Sequence, residues 1–331
     1  MSMQHRNRCF PAAWALMTAL GATVLPVLAA ESAESPSASP TPSAAPAPSA
    51  PAPSAETAPS AAIAVVDDLG RRVQLTHPAQ RIVTLAPFLT ELAFSADVGP
   101  RVVAVSAWSD YPSEARALPV VSSAGGISIE GVAAARPDLV LAWRDSMKRE
   151  DITRLESMHI AVYVASGRRL ADVPHTLRAI GALAAVDVEP AAKDFESRIS
   201  ALRAAHGFRA PVDVFLEINE KPLMTISGTH FMNEALAACG ARNVFAGAQG
   251  VAPVVSLENL LERNPVMIVG IGVADSQEQF AAQWAKYPTL SAVKGRRLIL
   301  GDANRLERPT LRTADGIAEL CTAIDAKRPS A

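Results

Sequence analysis

One phrase occurs twice in this chain. The run S-I-E-G-V-A-A-A-R-P-D-L-V-L, from Ser128 to Leu141, and the run S-L-E-N-L-L-E-R-N-P-V-M-I-V, from Ser256 to Val269, carry serine, glutamate and proline at the same offsets. In each copy the serine is a helix N-cap residue, able to accept a hydrogen bond from a backbone N–H of the first turn. The proline restricts the residue before it, so the helix stops near it. The apolar run that follows suits a strand buried in a parallel sheet. A chain that repeats this unit is constrained to two α/β lobes of related design. Glu130 and Glu258 fall in the first helical turn, where the helix dipole favours an anion. Two readings are open for them: a matched pair of exposed charges, one per lobe, or ordinary first-turn glutamates.

Size agrees with two lobes, because 331 residues exceed the length at which a single core stops growing. The formal net charge is −2 and no long basic block occurs, which excludes the electrostatic footprint of a nucleic-acid binder. At the N-terminus Arg6 and Arg8 precede an apolar, alanine-rich stretch from Phe10 to Leu28 that ends in small residues. Residues 1–29 therefore read as a cleavable secretory signal; a retained anchor is the rival, disfavoured by Pro11 and Pro26. Cys9 precedes the apolar core rather than following it, so the lipoprotein arrangement is absent. Residues 30–62 are almost wholly Ser, Ala, Pro, Thr and Glu, a composition that cannot offset chain entropy by burial and reads as a disordered linker. Loss of the signal leaves Cys239 and Cys321. In an oxidising compartment they read as a disulfide between two helices, with two separate buried thiols as the alternative. Neither has a Cys or His neighbour at zinc-ligand spacing.

Apolar runs at 82–85, 102–105, 139–142 and 162–165 alternate with helical patterns near 90–96, 129–135 and 149–158, the signature of a parallel α/β lobe. From Val173 to about His206 the helical pattern is much longer, and Pro190 is expected to break or kink it near the middle. The alternation then resumes, with strands at 214–218, 266–269 and 298–300 and helices near 233–238, 257–263, 276–285 and 314–326. The expected fold is α/β: two parallel-sheet lobes joined by one long helix, with a ligand cleft between them.

Reactive motifs are absent. The chain has no G-x-S-x-G, H-E-x-x-H, P-loop or G-x-G-x-x-G opening a helix. His230, in S-G-T-H-F, is the one histidine placed near a cleft, and a solvated or capping role competes there with a ligand role. The aromatic residues are more informative, since ligands of parallel α/β lobes gather at the carboxyl ends of strands. Trp108 and Trp143 each follow a strand, as do Pro87 and Phe88, and together they form a candidate apolar rim; loop packing is the alternative for each. Arg144 is placed to meet a ligand carboxylate or amide, or to form a surface ion pair. Tyr111 reads as turn packing, and an enzyme would have to rely on Asp110 or His230.

The runs R-I-V-T-L-A-P-F-L-T-E-L-A-F, S-A-W-S-D-Y-P and S-I-E-G-V-A-A-A-R-P-D-L-V-L-A-W-R resemble the periplasmic cobalamin-binding proteins of bacterial vitamin importers, part of a wider class that also carries haem and iron-siderophores. The likeness continues through A-C-G-A-R-N-V-F, A-P-V-V-S-L-E-N-L-L and the cysteine-bearing terminal helix, from about Ile82 to Ala326. It implies a rigid helix between the lobes, a ligand between them, a Cys239–Cys321 disulfide, and Glu130 and Glu258 docking onto permease arginines. The chain departs from the family where an aromatic is expected near Ala124 and again near Ala252. Trp143 is retained, and Trp108 stands where the family has another aromatic. On the C-terminal lobe Asn219, Met224 and His230 offer a smaller, more polar surface, and haem would make His230 or a tyrosine an axial ligand.

The resulting expectation is a periplasmic solute-binding protein that captures cobalamin or a related corrinoid and delivers it to an ABC importer, its permease and ATPase. Haem or a ferric siderophore is the alternative cargo, and a secreted sensor or adaptor is the alternative role. The expected organisation is a signal at 1–29, a linker at 30–62, an N-terminal lobe at 63–172, a connecting helix at 173–207 and a C-terminal lobe at 208–331. No catalysis, cofactor, bound metal or nucleic-acid partner is expected, and the mature protein is expected to be a monomer without membrane insertion.

Overall fold

Continuous apolar runs bounded by helices resolve into two parallel sheets in the computed structural model, which describes residues 63–329. The expected signal and linker lie outside the described residues. In chain order the first strands are β1 (Ile63–Val66), β2 (Arg72–Leu75), β3 (Ile82–Thr84), β4 (Val102–Ser106), β5 (Val120–Ser123), β6 (Gly126–Ile127), β7 (Leu139–Trp143) and β8 (Ala161–Ala165). They are followed by β9 (Val212–Glu217), β10 (Ala241–Asn243), β11 (Met267–Ile271) and β12 (Leu298–Gly301). The N-terminal sheet has the order β6-β5-β4-β3-β7-β8 and the C-terminal sheet the order β10-β9-β11-β12. All neighbours run parallel except β6 against β5. The central strands β3, β7, β9 and β11 are buried along almost their whole length. Helices cover both faces of such strands, so the sequence pattern is a solid apolar block rather than an alternation.

The structure adds a hairpin that the sequence pattern did not single out. β1 and β2 pair antiparallel around a D-D-L-G turn, where Asp67 Oδ1 accepts from the backbone N–H groups of Leu69 (3.0 Å) and Arg71 (2.9 Å).

The long helical stretch is two helices, Asp172–Ala184 and Glu189–His206. The break precedes Pro190, which sits in the first turn of the second helix, where a missing N–H costs nothing. Ala185 ends the first helix in the left-handed region, at φ 53°. The two helices lie side by side: Arg178 of the first bonds Glu189 (2.8 Å) and Glu196 (2.6 Å) of the second. Gly181 permits this return, since a Cβ there would lie 2.6 Å from Val188 Cγ2 and 2.8 Å from the Val186 carbonyl oxygen. The first helix packs on β1 and on helix Pro87–Ser95, the second on helices Phe231–Ala238 and Thr313–Ala326. The connector is therefore a helical pair with one member seated in each half.

Two cross-links hold the C-terminal helix. Cys239 and Cys321 form the disulfide, with a Cα–Cα distance of 4.6 Å. At its other end, Glu91 in the middle of helix Pro87–Ser95 is only 1% exposed. Its carboxylate accepts from Arg312 Nε (2.6 Å), Arg312 Nη2 (2.7 Å) and Thr310 Oγ1 (2.7 Å). A buried charge is tolerable only when paired and hydrogen-bonded, and here both donors come from the other half of the molecule. Replacing Arg312 with leucine leaves that carboxylate without its counter-charge, and breaking such a pair costs about 3–5 kcal/mol. The expected outcome is a clearly lowered urea midpoint at an unchanged m-value; a midpoint equal to wild type would show that the pair does not tie the halves together.

Candidate ligand rim and docking surface

The repeated phrase folds the same way twice. Ser128 Oγ accepts from Gly131 N at 3.0 Å and opens helix Ile129–Ala134; Ser256 Oγ accepts from Asn259 N at 3.1 Å and opens helix Leu257–Arg263. Eight residues after each serine (136 − 128 and 264 − 256) the backbone turns left-handed, at Arg136 (φ 47°) and Asn264 (φ 41°). A proline follows each, and then a central strand, β7 or β11. Glu130 and Glu258 both sit exposed in the first turn, and neither forms an ion pair among the described residues. Their geometry is that of a matched pair of outward charges.

The aromatic candidates divide into two groups. Phe88 and Trp143 come together edge to face, with ring centroids 6.1 Å apart. Trp143 closes β7 and is anchored by its Nε1, which donates to the Ser166 carbonyl at 3.0 Å. Phe88 is largely buried beneath it, and Pro87 supplies the first turn of its helix. Trp108 lies in a turn after β4 with φ 62°, and 44% of it is exposed. That turn is held from below by a chain of buried hydroxyls: Thr84 to Thr90 (2.7 Å), Thr90 to Ser109 (2.9 Å) and Ser109 to Ser106 (3.1 Å). Arg144 is exposed just past β7, and its backbone N–H continues the ladder to Ala165.

On the C-terminal half, Asn219 and Met224 bridge across a tight turn. Asn219 Nδ2 donates to the Pro222 carbonyl at 2.7 Å, while Met224 is 4% exposed and packs inward. His230 is a cap: its Nδ1 accepts from Met232 N at 3.2 Å, and its ring stacks on Phe231 at 4.6 Å. Burial lowers its pKa to about 4, so the imidazole is neutral at physiological pH.

The sequence reading missed the residues that bring the two halves to one rim. Arg308 reaches Asp110 at 2.6 Å and the Trp108 carbonyl at 3.1 Å. Arg312 lies over the ring of Tyr111 at 3.5 Å. Gly167 lies at the meeting point, for a Cβ there would be 3.3 Å from both the Phe88 ring and Pro309. Leu170 N and Arg169 Nε both donate to Glu234, at 3.2 Å and 3.3 Å. Asp110 and Tyr111 thus take part in a contact between the two halves. Among the described residues no group of three or more His, Cys, Asp or Glu side chains is placed to hold a metal ion, and no helix is long and apolar enough to cross a membrane.

The chain belongs to the periplasmic binding protein family, whose model matches residues 82–304. Among its relatives, the vitamin B12-binding protein of Vibrio parahaemolyticus serotype O3:K6 is 32% identical over 246 residues, 74% of this chain and 89% of the relative. That of Pectobacterium atrosepticum is 35% identical over 223 residues, 65% and 79% of the two chains. The crystal structure of the periplasmic vitamin B12 binding protein BtuF of Vibrio cholerae matches at TM-score 0.68 and 32% identity, covering 76% of this chain and 99% of that one. A periplasmic heme-binding protein from Pseudomonas aeruginosa, 23% identical with TM-score 0.63 over 76% of this chain and 95% of its own, shares the fold.

A second buried carboxyl lies at the end of β9. Glu217 is 0% exposed, and Trp284 Nε1 donates to its Oε2 at 2.8 Å. Burial raises its pKa to about 7; the charges of Glu220 and Lys286 act on it in opposite directions. Because the folded state keeps the proton while the unfolded chain releases it near 4.5, stability falls as pH rises from about 4.5 to about 7. The loss at this site is on the order of 3 kcal/mol. Glu217→Gln removes the ionisation, so the stability difference between variant and wild type should grow in the variant's favour from about pH 4.5 to about pH 8. Urea midpoints measured across that range check the sign; a constant difference would mean that Glu217 titrates normally.

Proposed function

We propose that this protein captures cobalamin or a related corrinoid in the periplasm and delivers it to an ABC importer, performing no covalent chemistry itself. The observation that carries the delivery step is the equivalence of Glu130 and Glu258, two exposed carboxylates set by the same capped helix on each half. Paired charges of this kind orient an encounter with a two-fold permease bearing basic sites. The similarity to vitamin B12-binding proteins supports the cargo, and Trp143, anchored at the end of β7, is the wall against which a large flat ligand would pack. In this reading Trp108, Arg144 and Asn219 supply further contacts to the ligand, and the mature protein acts as a monomer after signal removal.

Haem is the alternative cargo. Its iron would take an axial ligand such as an imidazole or a tyrosine oxygen. In His230 the Nδ1 lone pair is committed to Met232 N, so in the neutral ring Nε2 carries the proton.

Two measurements test the proposal. Adding cyanocobalamin should quench tryptophan fluorescence saturably, and Trp143→Ala should weaken binding by about 1–3 kcal/mol, the scale of a buried aromatic contact. Undiminished affinity in the Trp108→Ala, Trp143→Ala double variant would remove both from the site. The second separates docking from capture. Glu130→Lys combined with Glu258→Lys should impair uptake into importer-containing vesicles, more strongly at low ionic strength, while corrinoid affinity and thermal stability stay at wild-type values. Normal uptake would sink the docking role, and a large loss of affinity would place the glutamates in the ligand site instead.

A further inference from the structure

A cavity of about 200 Å³ lies in the C-terminal half, between the end of β9, the turn after it, the start of helix Leu257–Arg263 and the end of helix Gln277–Trp284. Glu217 and Gln283 both line it. Glu217 Oε2 is satisfied by Trp284, but its Oε1 is buried without a hydrogen-bond partner among the described residues. Gln283 is in the same condition. Its Nε2 donates to the Val273 carbonyl at 3.2 Å, which fixes the amide, and its Oε1 is buried and unpartnered among the described residues. A buried acceptor without a donor is destabilising, and the two residues that carry these oxygens line one cavity.

Two lysines also line the cavity, and neither is hydrogen-bonded to Glu217 or Gln283 among the described residues. Lys221 Nζ lies 3.3 Å from Glu220 Oε1, and Lys286 Nζ sits 5.3 Å above the Tyr287 ring. The remaining walls, Leu223, Leu257, Trp284 and Tyr287, are apolar and aromatic, a surface that accepts methylene groups and the face of a cation. The volume is several times the roughly 30 Å³ of a water molecule. Glu217 Oε1 and Gln283 Oε1 lack a donor among the described residues, and the apolar walls bound the space beside these two residues.

We propose that the cavity is a second binding site, for a primary ammonium or guanidinium group on a short apolar stem, with Glu217 and Gln283 as its acceptors. The site is distinct from the aromatic rim and stands independently of the corrinoid assignment. None of the rim residues Phe88, Trp108, Trp143, Arg308 and Arg312 is among those that line it. Its wall includes Leu257, the residue immediately before Glu258. The cation has two sources, a soluble amine or a basic side chain of the membrane partner entering beside the docking glutamate. Ionisation of Glu217 accompanies binding of either.

The indole N–H of Trp284 touches the Glu217 carboxyl and reports occupancy directly. The full chain, labelled with ¹⁵N, is titrated with butylammonium and with butylguanidinium against sodium chloride at matched ionic strength. The expected result is a saturable shift of the Trp284 indole resonance with the organic cations and none with sodium. Glu217→Gln should weaken that binding at least about tenfold, the loss of one charge-assisted contact. Gln283→Leu, which keeps the carboxyl and its bond to Trp284, should weaken it as well. The source is read from vesicle uptake by Glu217→Gln: a defect at unchanged cyanocobalamin affinity identifies a side chain of the importer, and normal uptake identifies a soluble amine. Absence of a saturable shift with both cations, or wild-type affinity in both variants, overturns the proposal.

Discussion

The contact between Glu91 and Arg312 sets the relation of the two halves. A carboxylate in the middle of an otherwise apolar helix has no stable state without a counter-charge, and the counter-charge arrives from a residue 221 positions away. Once Arg312 is seated on Glu91 and Tyr111, the segment before the last helix has little freedom. Arg308, four residues earlier, falls on Asp110 and on the Trp108 carbonyl, and Pro309 lies against the position of Gly167 beside Phe88. The last helix leaves this clamp already oriented, and the disulfide at Cys321 fixes it to the end of helix Phe231–Ala238.

The same arrangement bears on how a ligand would be enclosed. Hinged closure relies on a few loop residues that absorb large backbone changes. Here the halves are joined by two packed helices with an ion-pair seam, Arg178 to Glu189 and Glu196, and by the buried clamp at Glu91. Separating the halves would strip Glu91 of its donors and rehydrate a site that is now nearly inaccessible, a cost of several kcal/mol. A binding surface built on such a frame is largely preformed, so its affinity is not diminished by the ordering cost of a flexible one.

Much of the frame was legible in the sequence because parallel sheets write themselves as solid apolar runs. The strands at β3, β4, β7, β8, β9, β11 and β12 begin and end within two residues of the expected positions, and the repeated serine-capped phrases mark the same helix twice. What escaped has several physical causes. β1 is only half-buried, in an alternating pattern, and β6 and β10 are two and three residues long, too short to leave a periodicity. The connecting helix divides at a turn before Pro190, because proline is tolerated in a first turn and so marks a start rather than a kink. The rim contacts join residues about two hundred positions apart, which no local pattern records. The one local trace of the clamp is a charge in apolar company, Glu91 in F-L-T-E-L-A-F, and Glu217 in V-F-L-E-I leaves the same trace of the other buried carboxyl. Such a residue needs a hydrogen-bond partner on folding, Arg312 for the first and Trp284 for the second.

The two copies of the phrase also show why the outer and inner surfaces of the lobes diverge. The cap, the left-handed residue and the proline are local backbone devices, so the same short sequence yields the same exposed glutamate on either half without help from its surroundings. Side chains at the ends of the strands have no such autonomy, because their positions are set by whatever the opposite half brings against them. In the N-terminal half this produces Trp143 on Phe88 and a Trp108 turn supported by buried hydroxyls. In the C-terminal half it produces a capped, neutral His230, an inward Met224 and a polar turn at Asn219. Local symmetry therefore suits the proposed docking face, where a two-fold partner would meet like charges in like geometry. Tertiary asymmetry suits the proposed ligand face, where an unsymmetrical molecule would be held in one orientation.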